Sequence, residues 1–395
     1  MASILKINNP TRKTPKILLA PLDWGLGHAT RCIPIIKELL ICKYDVCVAA
    51  AGDQKALLKE EFPTLSFIEL PGYRIKYDKN RALTLLRLIS SIPKILICVK
   101  EENRWLRRFK EKEGVDIVIS DSRYGLYHRD LYCILITHQL SIQSFWGGWV
   151  DRWIQRWHYR LIGKFSACWV PDMPTGSGPL GSGPEALGLA GKLSHPEHMP
   201  NVPTHYIGLL SRMEKREDLE GYSTATEETI DVLVLLSGPE PQRTILEKML
   251  WAQLRSYAGN FVFVRGLPSK GSPIEGIDEP PVGNRTVFDH LPARALNECL
   301  LKARLVIARS GYSTVMDLVR LGKRSILIPT PGQTEQEYLG KYLSAQRIAL
   351  CAGQTGFSLK DELLRAERFP YVTLPEERYL LQDVMAQSFS PMCLG

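Results

Sequence analysis

The chain has 395 residues, 45% of them hydrophobic and 23% charged, the balance of a folded globular protein with material for about two domains. Its formal charge is +8, and the excess is concentrated: residues 1–215 hold 30 Lys and Arg against 20 Asp and Glu, whereas residues 216–395 hold 20 against 22. An anionic partner is therefore expected for the first half only; nine scattered Cys, without a CxxC or a zinc-type Cys/His spacing, exclude a disulfide framework and structural zinc and fit a reducing cytoplasm.

The N-terminal MASILKINNPTRKTPK has no apolar h-region, so neither signal peptide nor anchor is expected there. The strand-like run KILLA (16–20) leads into APLDWGLGHATRCIPIIKELL, where Gly25 and Gly27 open a tight turn and His28 stands near the start of a helix. A side chain at that point faces the crevice beyond the strand's carboxyl end. Thr30 occupies the place of a third glycine and no ribose-binding acid ends the next run, DVCVAA (45–50), so a dinucleotide site is not indicated. The greasy stretch Leu83 to Val99 is broken by Arg87, Pro93 and Lys94 and is too short to span a bilayer. The runs DIVIS (116–120) and CILIT (133–137) follow, ending beside Asp121 and beside His138 and Gln139.

Segment 144–165 carries Trp146, Trp149, Trp153 and Trp157 beside Arg152, Arg156, Arg160 and Lys164. Rows of rings and cations at four-residue spacing suit a membrane interface, and equally a core helix with snorkelling arginines. A Gly/Pro/Ser-rich segment (173–191) reads as an insertion in the first domain, and 205–221 as the interdomain connection. The second half repeats the pattern with DVLVLL (231–236), NFVFV (260–264), LVIA (305–308) and SILIPT (325–330). Buried strands alternating with helices predict an α/β protein of two doubly wound parallel-sheet domains, residues 1–210 and 211–395.

After LVIA, the residues Arg309, Ser310 and Gly311 form a glycine turn, with a helix starting around Ser313. The N–H groups and positive dipole end of such a helix can dock a diphosphate, Arg309 adding a charge-assisted contact. Asp317, one turn further, suits ribose hydroxyls; Glu335 and Gln336 in PTPGQTEQ suit sugar hydroxyls. The plain alternatives are a surface salt bridge for Arg309 and an exposed helix acid for Asp317.

The segment from Arg309 to Gln336 resembles the donor-binding motif of GT-B glycosyltransferases, especially family 28 and its lipid-linked peptidoglycan-precursor N-acetylglucosaminyltransferases. The resemblance implies two Rossmann-like domains facing across a cleft and a donor site built from Arg309, Ser310, Gly311, Tyr312, Ser313 and Asp317. Family 28 places its polar pair at Gln336 and Glu337, whereas plant-type glycosyltransferases match Glu335 and Gln336, so all three loop residues are candidates. LLSGPEPQR (235–243) resembles the phosphate loop, with Ser237 and Gly238, and VFDHLP (287–292) the nucleobase loop, with His290 and Leu291. GLGHATR resembles the Gly-Gly-His loop, and LITHQLSIQ the His-Glu-Gln segment, implying that Gly25, Gly27, His138 and Gln139 serve the acceptor; the Glu of that segment is missing here.

Inverting sugar transfer needs a base on the acceptor hydroxyl, and His28 has a suitable intrinsic pKa. Asp121 is expected to orient it, as a similarly placed acid does in the plant-type enzymes, or else to be a helix or turn cap; Asp23 is the alternative base. No Asp-x-Asp motif occurs, so neither metal nor cofactor is expected. The expected activity is transfer from a nucleotide-diphosphate donor, a UDP-sugar such as UDP-N-acetylglucosamine, to an unidentified, lipid-linked acceptor. A nucleotide-sugar 2-epimerase and a non-catalytic nucleotide-sugar-binding protein are the competing readings. The expected place is the cytoplasm, peripheral at an anionic membrane face through 144–165; the basic residues form no nucleic-acid motif.

Overall fold

A computed structural model describes residues 14–23, 25–70, 72, 92–142, 148–175, 188–218, 229–267, 284–372 and 380–393. The start of the 83–99 run, residues 176–187 of the Gly/Pro/Ser-rich insertion, Trp146, the Trp149 side chain and the end of the 205–221 connection lie outside the described residues. Among the described residues, the strands form two sheets whose neighbours all pair parallel. The first contains β1 (Lys16–Pro21), β2 (Asp45–Ala49), β3 (Ser66–Ile68), β4 (Ile117–Asp121), β5 (Tyr132–Ile136), β6 (Ala167–Val170) and β7 (Thr204–Tyr206), in the order 3-2-1-4-5-6-7. The second contains β8 (Ile230–Leu235), β9 (Phe261–Val264), β10 (Arg285–Phe288), β11 (Ala303–Ala308), β12 (Ser325–Leu327) and β13 (Leu350–Cys351), in the order 10-9-8-11-12-13.

Helices cover both faces, which is why the central strands are unbroken apolar runs: Ile17, Leu18, Leu19 and Ala20 are wholly buried. The first sheet is flanked by α1 (Leu26–Ile41), α2 (Gly52–Glu61), α3 (Ile92–Glu113) and α4 (Gly148–Ile162). One of its cores joins Leu18, Val118 and Leu135 to Leu106 of α3 and Ile162 of α4. The second unit's helices are α5 (Gln242–Leu254), α6 (Ala293–Lys302), α7 (Tyr312–Arg320), α8 (Thr334–Ala345) and α9 (Leu359–Arg368). There Trp251 of α5 meets the rings of Phe261 and Phe263 edge-on at 6.2 and 5.6 Å.

The chain separates into two compact units that change over between Ser211 and Arg212. The last helix, α10 (Leu380–Cys393), differs from the expectation that the second domain runs to the C-terminus: it returns to the first unit. Its Phe389 packs on Tyr44 and Trp169 at ring distances of 5.5 and 5.8 Å, and Gln382 donates to the Glu38 carboxylate of α1. In each sheet the strand order reverses once, between β1 and β4 and between β8 and β11. Pro21 is in register with Asp121, and Leu235 with Ala308, so the loops leaving these strands open at the two switch points, where doubly wound sheets hold ligands.

Candidate active site

At the end of β1 the chain must turn sharply into α1. Gly25 makes that turn at φ +79°, a conformation that L side chains rarely adopt. The turn is tied from α2, where Gln54 Nε2 donates to the carbonyls of Leu22 and Gly25 at 2.5 and 2.6 Å. Helix α1 then begins at Leu26 with His28 in its first turn. Across the switch point, His28 Nδ1 lies 3.0 Å from Oδ2 of Asp121, the last residue of β4. The carboxyl group is fully buried, and Ser122 follows it at φ +57°, a left-handed conformation uncommon outside glycine.

One helical turn beyond His28, Arg31 closes the cluster. Its Nε donates to Asp121 Oδ2 at 2.8 Å, and its Nη2 bonds Asp121 Oδ1 and donates to Ser122 Oγ at 3.1 Å. Nη2 also lies 2.8 Å from His28 Nδ1, while Nη1 lies 3.4 Å from Nδ1 of the buried His138, just past β5. Burial alone would push the Asp121 carboxyl up, but the charges and hydrogen bonds of Arg31 and His28 outweigh it and hold the carboxyl well below the usual carboxylate range. His28 is lowered from its ordinary value, first by burial and then by the Arg31 charge, with Asp121 partly opposing both.

The structure thus brings together His28, Asp121 and His138, the first two in hydrogen-bonding contact. Asp121 is no helix cap: both its oxygens are directed at side chains of α1. Gly27 accepts from Thr30 Oγ1 in the same turn, and the backbone N–H of Gln139 donates to Thr137 Oγ1. Asp23 has its carboxylate packed against Gly72. The residues that sequence reasoning missed are Arg31 and Gln54. Arg31 had a signal, its i,i+3 spacing from His28 on one helical face; Gln54 had none, because it acts through a tertiary contact.

In the second unit, Ser237 and Gly238 follow β8, Gly238 at φ +102°. An ionic network with a buried centre backs this loop: Arg243 bonds the exposed Glu240 and the buried Glu247, and Arg265 bonds Glu247 and the half-buried Asp289. The 237–243 loop, the end of β9 and the 289–291 loop are thereby held as one set. His290 is half-buried, and Leu291 is buried.

Past β11, Gly311 caps α7, whose first internal bond runs from Val315 N–H to the Gly311 carbonyl at 3.0 Å. Arg309 departs from expectation. The guanidinium is buried and donates to the carbonyls of Ile328, Pro329 and Gln242 at 3.2, 3.2 and 2.8 Å, and to Gln354 Oε1 at 2.7 Å. Burial lowers its pKa to about 10, so it remains a cation, but one turned inward to join three loops rather than outward toward a diphosphate or a surface acid. Tyr312 is likewise buried. Ser310 Oγ donates to the Gln336 carbonyl at 2.8 Å. Of the three loop candidates, Gln336 Oε1 accepts from Thr330 N–H at 2.9 Å and Glu337 Oε1 from Gly332 N–H at 3.0 Å, so both shape the loop that presents Glu335. Asp317 and Ser313 are half-buried on α7.

Residues 286–370 match the glycosyltransferase family 28 C-terminal domain. The chain is 25% identical over 334 residues to an uncharacterized glycosyltransferase of Methanosarcina acetivorans, covering 82% of this chain and 81% of that one. Over 73 residues, 18% of each chain, it is 40% identical to the UDP-N-acetylglucosamine–N-acetylmuramyl-(pentapeptide) pyrophosphoryl-undecaprenol N-acetylglucosamine transferase of Methylobacterium nodulans. Arabidopsis thaliana UGT89C1, solved in complex with UDP-L-rhamnose, shares the fold at a TM-score of 0.58 and 12% identity, covering 96% of this chain and 95% of that one. Nothing in these likenesses supports the 2-epimerase expectation. Two doubly wound parallel sheets, loops opening at both switch points and the match over residues 286–370 give the chain the GT-B fold with a glycosyltransferase family 28 C-terminal domain.

Proposed function

We propose that the protein moves a sugar from a UDP-sugar to an acceptor hydroxyl with inversion and without a metal ion, His28 serving as the base. The observation that carries this reading is the His28–Asp121 pair at the first switch point. With Nδ1–H donated to ionised Asp121, Nε2 holds the lone pair, and among the described residues it makes no hydrogen bond. Nε2 takes the acceptor's proton, the acceptor oxygen bonds to the anomeric carbon, and the bond to the diphosphate breaks with its electron pair leaving on the diphosphate oxygen. A positioned base of this kind contributes roughly 10²–10⁴-fold.

For the donor, the reading assigns the diphosphate to the start of α7, where the helix dipole is positive, and the sugar hydroxyls to Glu335 with the 330–337 loop. The UDP assignment draws on the UDP-N-acetylglucosamine transferase matched over 73 residues. In the acceptor unit, Trp153 is 67% exposed on α4 beside exposed Arg152, Arg156 and Arg160, and Ile97 on α3 is 56% exposed. Both helices pack around Tyr124, which bonds His158 of α4 and touches the Leu22–Val99 cluster of α3. Rings beside cations fit an anionic lipid surface and thus a lipid-linked acceptor. The test is product formation from a panel of UDP-sugars with lipid-linked and soluble acceptors, with His28→Ala as control. Transfer lost in that variant while UDP binding persists supports the reading; full activity in it overturns His28 as base.

A further inference from the structure

Arg31 lies inside the dyad rather than beside it. Its Nη2 carries two hydrogens, and two oxygens take them, Asp121 Oδ1 and Ser122 Oγ. Nη2 also stands 2.8 Å from His28 Nδ1, within hydrogen-bonding reach, so these hydrogens are shared among three neighbours and the role of Nδ1 depends on the ring's tautomer. That approach is a contact between a cation and a ring nitrogen. It penalises an imidazolium, while a neutral ring gives its Nδ1–H to Asp121 Oδ2 at 3.0 Å. A carboxylate beside histidine, acting alone, would favour the imidazolium, a form that cannot accept a proton.

Resting on the transferase reading above, we propose that Arg31 is a positioning residue for His28. By holding both oxygens of Asp121 and placing its charge beside the ring, it keeps His28 neutral, while Asp121 Oδ2 takes Nδ1–H and leaves Nε2 as proton acceptor. The titratable and charged groups facing His28 are Arg31 on its own helix, Asp121 at the end of β4 and His138 after β5; Cys32 Sγ lies 3.9 Å from Asp121 Oδ2 on the far side of that carboxylate. Arg31 and His138 oppose the imidazolium, and Asp121 alone favours it. Burial and His138 remain when the guanidinium is removed, but the balance between Arg31 and Asp121 is lost and the imidazolium gains.

The experiment is an NMR titration of the His28 ring nitrogens in the full chain, assigned with His28→Gln, for wild type, Arg31→Met and Arg31→Lys. It is paired with pH profiles of kcat/KM for the same proteins. In wild type, the ring is expected neutral and Nδ1–H at pH 7. In Arg31→Met it should titrate at least about one pH unit higher. The acid limb of kcat/KM should move with it, so that activity about 10-fold or more down at pH 7 recovers toward pH 9. Arg31→Lys should fall between, because it keeps the charge and loses the fork. A protonated His28 in wild type at pH 7, or an unmoved titration in Arg31→Met, overturns the proposal, as does a loss of activity equal at every pH. The wild-type spectrum decides the matter even where a variant does not fold. A neutral Nδ1–H ring in a wild-type protein that transfers no sugar would instead sink the transferase reading and leave the Arg31 geometry standing.

Discussion

Pro21 and Asp121 are register partners at the ends of β1 and β4, and this one pairing sets the geometry of the site. It places the turn into α1 directly over the Asp121 carboxylate, so that two residues of one helical face, His28 and Arg31, reach its oxygens. Asp121 is the common partner, and each of the others depends on its charge.

Replacing Asp121 by Asn removes that charge and leaves the Arg31 guanidinium buried without a counter-ion. Stripping one member of a buried pair costs about 3–5 kcal/mol. Urea unfolding of Asp121→Asn should show a loss of that order, and transfer activity should fall at least about 100-fold. A variant as stable and as active as wild type would contradict the arrangement.

Arg309 is read here as a joint between loops. Arg309→Met should lower stability by about 2–4 kcal/mol, since three carbonyls and Gln354 lose their shared donor. Affinity for UDP should fall with it through loop disorder. Were Arg309 a direct diphosphate contact, affinity would drop while urea unfolding stayed unchanged.

Acid should destabilise the fold through its buried histidines. His158 is lowered to about 4 by burial, against about 6.5 when unfolded. Its folded value is the lower one, so the unfolded chain takes up the proton first. Stability is then full above the unfolded value and falls as pH drops toward 4, by about 3 kcal/mol in all. Asp121, held well below the usual range, keeps its stabilisation through that window and adds no slope until the pH falls below the ordinary carboxylate value. Urea unfolding at pH 7 and pH 4.5 should show the loss, and His158→Gln, which keeps an acceptor for Tyr124, should reduce it. An equal loss in both proteins would remove His158 from the account.

Trp153 tests the lipid surface. Because the ring is mostly exposed, Trp153→Ser should leave the thermal midpoint within about one degree. Co-sedimentation with vesicles containing anionic lipid should weaken several-fold and disappear in high salt. Unaltered binding by Trp153→Ser would exclude this face.

Much of the fold was legible because the central strands are buried on both sides, and buried runs such as KILLA and LVIA stand out from any helix pattern. The short strands β3, β7, β10 and β13 were not; only two to four residues long and partly exposed, they lack a periodic signature. The return of α10 was equally hidden, since an apolar helix face does not encode which of two sheets it will cover. Within the site, His28 and Asp121 could be named from the ends of their strands. Arg309 was misjudged because a cation after a glycine turn looks the same whether it faces solvent or three inward carbonyls. Arg31 was overlooked because its role depends on a carboxylate 90 residues away.

The central claim is inverting transfer from a UDP-sugar with His28 as base. Its most direct test is proton NMR of the product formed by wild type and His28→Ala from an α-linked UDP-sugar. The account predicts a β-linked product with release of one UDP from wild type, and at least about a 100-fold slower reaction in His28→Ala with UDP affinity retained. An α-linked product, or undiminished transfer by His28→Ala, would contradict it.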